Sequence, residues 1–157
     1  MRSSSAGGRS GWAVSVALVE DGQPVVGVLD APARGEVWRA AAGGPATLNG
    51  APLVPADHDL DGARVLTAKV GLDPMHWRGA APPLRREFRP SLAWRLCLVA
   101  EGRFDAALSL RPCWEWDVAA ASLIGLVGDI SSLLIKPLLT SDQVLLLQKD
   151  NVASGKL

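Results

Sequence analysis

The chain contains no tyrosine, and only two phenylalanines and two cysteines among its 157 residues. Its aromatic content rests on six tryptophans, to which no function attaches. Cys97 and Cys113 are too few for a disulfide framework and lack the spacing of a zinc site, so they read as reduced thiols. Net charge is also missing. Lys and Arg total 16, Asp and Glu total 16, and the formal charge is zero. That balance speaks against a general affinity for nucleic-acid polymers or acidic membranes. Long apolar runs are scarce: the stretch 119–135 is interrupted by Asp129 and is too short to span a bilayer. Residues 1–10 are basic and Ser/Gly-rich with no apolar signal core behind them, so they read as a flexible start to a cytoplasmic protein. Two further absences are local. No Asp, Glu or Thr precedes Gly11, and no arginine follows Arg111.

What is present begins with a meander. Trp12 to Leu18 alternates in polarity, Asp21-Gly22 signals a tight turn, and Pro24 to Leu29 resumes as a strand. Ala31 to Gly35 turns again, Glu36 to Ala40 makes a third strand, and Thr47-Leu48-Asn49-Gly50 leads into Ala51-Pro52-Leu53. Asp57 to Gly62 reads as a polar loop before a strand at Arg64 to Lys69, without calcium-loop spacing. His58 and His76 read as surface histidines. Arg85, Arg86 and Arg89 read either as a solvated loop or as ligands for a phosphate.

The chain is organised around Ser91 to Ile124. Leu92, Leu96 and Val99 share a helical face, Ser91 can cap that helix, and Gly102 ends it. Phe104 to Leu110 alternates as a short strand, and Pro112 breaks it. Trp116 to Ala121 opens a second helix whose small residues allow close packing. Asp117, at its start, has two readings. It is a capping carboxylate, or a rigidly held ligand for a hard cation such as magnesium.

The segments SLAWRLCLVAEGRFDA and Trp116-Asp117-Val118-Ala119-Ala120 together resemble a signature of the inositol monophosphatase family of magnesium-dependent phosphatases. The segments at Ala31 to Glu36 and Thr47 to Leu53 also resemble that family, and Trp114-Glu115-Trp116-Asp117 is similar to its 3′(2′),5′-bisphosphate nucleotidase branch. The resemblance spans 11–124. It implies an α/β fold, part of a layered αβαβα sandwich with a mostly antiparallel meander and with the N-terminal helices missing. One sheet face should then be bare, which implies poor solubility or dimerisation. The implied activity is hydrolysis of a phosphate monoester, either 3′-phosphoadenosine 5′-phosphate or an inositol or sugar phosphate. By the same resemblance Mg2+ is the cofactor and Asp117 a metal ligand, with Ser91, Ser109 and Arg111 lining the substrate pocket.

Two departures qualify that implication. The family's D-P-[LI]-D-G-T metal-binding segment, expected just upstream of Trp12, has no counterpart here. Asp61-Gly62 lies after the meander and cannot replace it. A two-metal phosphoryl transfer needs ligands on both sides of the reaction path, so one aspartate implies an inactive fragment. After Ile124 the composition shifts, and 125–157 reads as a divergent tail. Three readings follow. The chain is a phosphatase by ancestry. It is a non-catalytic truncated paralogue, forming a homodimer or pairing with a full-length relative. Or it is a pseudogene product.

Overall fold

The computed structural model describes residues 11–54, 62–81, 83–110 and 115–127, excepting the side chains of 115–117 and 126–127. The first hairpin pairs β1 (Val14–Glu20) with β2 (Gln23–Ala31). Asp21 and Gly22 carry φ of 50° and 76°, the left-handed pair that a two-residue turn requires to match strand twist. β3 (Glu36–Ala41), β4 (Thr47–Leu48) and β5 (Ala51–Pro52) complete a five-stranded antiparallel sheet in chain order. Asn49 closes its last turn. Its amide donates to the Gly35 carbonyl at 2.9 Å, and its Oδ1 accepts the Val37 N–H at 2.8 Å.

A second sheet follows, and it is parallel. β6 (Arg64–Leu66) lies between β7 (Arg85–Glu87) and β8 (Ala106–Ala107). Two 3-10 turns, Lys69–Leu72 and Pro74–His76, lie between β6 and β7. Helix α1 (Leu92–Ala100) joins β7 to β8, as a parallel crossover demands. Helix α2 (Glu115–Val127) packs on β1, β2 and β3 on one side and on α1 on the other. The order of layers is therefore sheet, helices, sheet. This is the layered α/β arrangement with an antiparallel meander that the sequence implies.

The core lies between the layers. Leu29, Ala31, Trp38 and Ala40 share the inner face of the first sheet and are all buried. Gly27 lies on that face too. A Cβ placed there would fall 2.9 Å from the Ala120 carbonyl oxygen, so the glycine and the run of alanines let β2 and α2 approach closely. The opposite face is apolar and exposed. Val14, Val16, Leu18 and Val26 retain between 41% and 60% of their surface.

A polar cluster ties the first sheet to the end of α1. Trp38 Nε1 donates to Glu101 at 3.0 Å, and Arg103 pairs with both Glu101 and Glu36. Burial pushes the Glu101 carboxyl up despite the hydrogen bonds from Arg103 and Trp38.

Three local expectations change. Arg85 to Glu87 is a strand rather than a loop, because its backbone pairs with β6 and Glu87 accepts from Arg64 and Arg89 at 2.9 and 3.2 Å. The strand expected at Arg64 to Lys69 stops at Leu66, where the chain tightens into a 3-10 turn. The strand expected over Phe104 to Leu110 narrows to Ala106–Ala107, both buried, so its outer face is not polar. Asp57 to Asp61, Cys113 and the stretch after Val127 lie outside the described residues.

Candidate functional site

In a parallel sheet the strands' carboxyl ends form a natural crevice, and a change in strand order opens it. Here β6 is central, with β7 and β8 on its two sides. Its carboxyl end delivers Thr67, that of β7 delivers Phe88 to Ser91, and that of β8 delivers Leu108 and Ser109. The edges are stitched together there. Thr67 N–H donates to the Glu87 carbonyl and Leu108 N–H to the Leu66 carbonyl, each at 3.0 Å, and Arg86 donates to the Thr67 carbonyl at 3.3 Å.

Ser91 stands at the N-cap of α1, and its hydroxyl accepts the Trp94 N–H at 3.2 Å. The expected cap is therefore present. Ser109 follows β8 at the same edge and is half-buried. Arg111 lies outside the described residues. Asp117 is the third residue of α2, close to the helix N-terminus as expected, and its side chain also lies outside the description.

Arg95 is the residue that sequence reading missed. It sits one helical turn after Ser91 and is only 8% exposed. One guanidinium nitrogen donates to the Leu108 carbonyl at 3.4 Å, while Nε has no hydrogen-bond partner. Its guanidinium lies over the Phe88 ring, 5.8 Å from the centroid. No described carboxylate forms a salt bridge with it. Desolvation alone pulls its pKa down from the usual arginine value. A buried cation is costly where no counter-ion meets it, and none meets Arg95 among the described residues. The available signal was a charged residue on a helix whose residues 93–100 are all buried.

The metal is a separate matter. Among the described residues, no three His, Cys, Asp or Glu side chains converge to hold a metal ion. The described donor set therefore does not fit a magnesium site. Glu87 is engaged by Arg64 and Arg89. Its hydrogen bond from Arg64, with further help from Arg89, holds its carboxyl below the usual range. Among the described residues, no helix is long and apolar enough to cross a membrane.

Comparison with known proteins agrees with this architecture. The chain is 31% identical over 137 residues to the 3′(2′),5′-bisphosphate nucleotidase CysQ of Aggregatibacter actinomycetemcomitans, covering 76% of this chain and 49% of that protein. It is 35% identical over 130 residues to a histidinol-phosphatase of Mycobacterium tuberculosis, covering 72% of this chain and 47% of that protein. The solved inositol monophosphatase of Anabaena (Nostoc) sp. PCC 7120 superposes with a TM-score of 0.65 at 26% identity, covering 91% of this chain and 62% of that one. The chain spans about half the length of the curated relatives it matches. The profile described as the inositol monophosphatase family matches residues 6–125, and the chain belongs to that family.

Proposed function

We propose that this chain carries the phosphate-monoester-binding side of a phosphatase site, and that it binds such esters without hydrolysing them on its own. The observation that carries this reading is Arg95, buried one helical turn after Ser91, with an Nε that lacks a hydrogen-bond partner and no salt bridge to a carboxylate among the described residues. A guanidinium suits a phosphate because its donors match the tetrahedral oxygens and its charge persists on burial. Ser91 is fixed by its cap bond and can offer its hydroxyl proton to an ester oxygen. Ser109 and Arg111 are assigned to the far rim.

Family membership supports hydrolysis of phosphate monoesters as the ancestral chemistry, with the named relatives pointing to a nucleotide bisphosphate or histidinol phosphate. Magnesium would polarise the ester in that chemistry, with Asp117 as the ligand this chain supplies. The described residues do not by themselves assemble a metal site.

The binding claim is tested by titrating glycerol 1-phosphate into the labelled protein and following backbone amides by NMR. The amides of Ser91, Arg95 and Ser109 should shift saturably, with no inorganic phosphate released. Shifts confined to the first sheet would contradict the reading.

A second reading, a non-catalytic partner in a homodimer or a pair with a longer relative, draws on the exposed Val14, Val16, Leu18 and Val26 face. Sedimentation of a Val16→Lys variant tests it. Self-association should weaken relative to the parent, and an unchanged monomer in both would contradict it.

A further inference from the structure

Alternation along β1, β2 and β3 sorts their residues onto two faces. Leu29, Ala31, Trp38 and Ala40 point inward and are buried. The outward set forms rows across the strands: Val14–Asp30–Val37, Val16–Val28–Arg39 and Leu18–Val26–Ala41. An antiparallel sheet that meets water on one face alternates apolar-in with polar-out. Here Asp30 and Arg39 are the only charged side chains in rows that are otherwise apolar. Asp30 is half-buried and Arg39 exposed, and neither makes a salt bridge among the described residues. They stand on neighbouring strands, one row apart.

We propose that this face binds the same face of a second copy of the chain, with Asp30 of each copy paired to Arg39 of the other. This deepens the interface reading given above for the same face and rests on it. The occupant follows from the pattern. An isologous contact needs a surface that is its own complement, so that when one residue meets another the reverse also holds. The face can be rotated onto itself about a twofold axis lying along the diagonal Leu18–Val28–Val37. Asp30 then falls on Arg39, Val14 on Ala41 and Val16 on Val26, and the residues of the diagonal meet their own counterparts. Every charge faces its opposite, and every apolar side chain faces an apolar one. Strand spacing of about 4.8 Å and row spacing of about 6.8 Å make the match approximate, and the long Arg39 side chain spans the offset. The strands of the two copies cross at near right angles, one of the two ways in which sheets pack face to face. A different partner would cover the valines equally well. The relation between Asp30 and Arg39 is what selects a second copy.

Sedimentation equilibrium of the intact chain tests this, on the parent, Asp30→Arg, Arg39→Asp, the double variant carrying both changes, and Val16→Lys, with urea unfolding followed on each. The parent should dimerise. Each single charge reversal sets like charges against each other at both symmetry-related pairs, and should weaken dimerisation at least about tenfold. The double variant restores opposite charges and should return to within about threefold of the parent. That recovery also separates a lost ion pair from a damaged fold. A dimer that survives Val16→Lys lies on another surface and overturns both the interface reading and this proposal. A dimer broken by Val16→Lys but indifferent to charge reversal, or one that the double variant fails to restore, keeps the interface and overturns the arrangement. A monomeric parent overturns the proposal. If that monomer co-sediments with a longer relative and Val16→Lys abolishes the pairing, the interface reading alone survives.

Discussion

Glu101 shows how single groups in this chain trade charge against burial. Its carboxyl accepts from Trp38 and Arg103, yet burial still holds its pKa above the ordinary glutamate range. A carboxyl raised in the fold takes up a proton more readily folded than unfolded. Its stabilising contribution is full below the unfolded pKa and lost as pH rises through the folded one. Glu101→Gln keeps an acceptor for Trp38 and removes the titration. Urea unfolding of both proteins should show the parent gaining on the variant as pH falls from about 7 toward about 4.5. A flat difference, or one that favours the variant at lower pH, would contradict the burial argument. Cys97 follows the same physics. Burial pushes its thiol well up, which fits the inert, reduced cysteine expected from sequence.

At the scale of elements, the hairpins were legible because Asp21-Gly22 and Asn49-Gly50 demand positive φ, and both adopt it. Helix α1 was legible through its Ser91 cap and its apolar spacing. Strand β7 was not. Arg85-Arg86-Glu87 is polar throughout, and it is held by pairing with a segment some twenty residues away, which local pattern cannot encode. Arg95 was hidden for a related reason. It stands between Trp94 and Leu96 in an apolar helix, and only packing reveals that its charge is buried with one backbone hydrogen bond and no salt bridge among the described residues. The small-residue opening of α2 was read correctly as a close-packing surface, and Gly27 is the position that receives it. Gly27→Ala should therefore cost about 1–3 kcal/mol, since the new methyl meets Ala120 backbone rather than a side chain that can move. Urea denaturation measures this, and unchanged stability would show that β2 and α2 are not in close contact.

For the molecule as a whole, the layers divide the labour. The first sheet and the two helices build the larger share of the apolar core, with one face of that sheet left exposed at Val14, Val16, Leu18 and Val26. The smaller parallel sheet builds its own apolar cluster around Val65, Trp77 and Leu108, and the carboxyl ends of its strands lead into Thr67, Phe88 and Leu108. The family resemblance was legible from the Ser91 to Ala121 stretch and agrees with the family match over residues 6–125. Ser91 and Ser109 are expected in a substrate pocket from motif likeness, whereas the burial of Arg95 emerges only from packing. Such a cation is expected to serve binding more than folding. Replacing a buried charge that has no ion-pair partner among the described residues by an apolar residue of similar length removes its desolvation cost.

The most direct measurement is therefore the affinity of inorganic phosphate for the parent and for Arg95→Met, with unfolding followed on the same samples. The account predicts that the variant loses about tenfold to a hundredfold in phosphate affinity while matching or exceeding the parent in stability. Equal phosphate affinity in the two proteins, with the variant clearly less stable, would make Arg95 a structural residue and contradict the assignment of the crevice as a phosphate site.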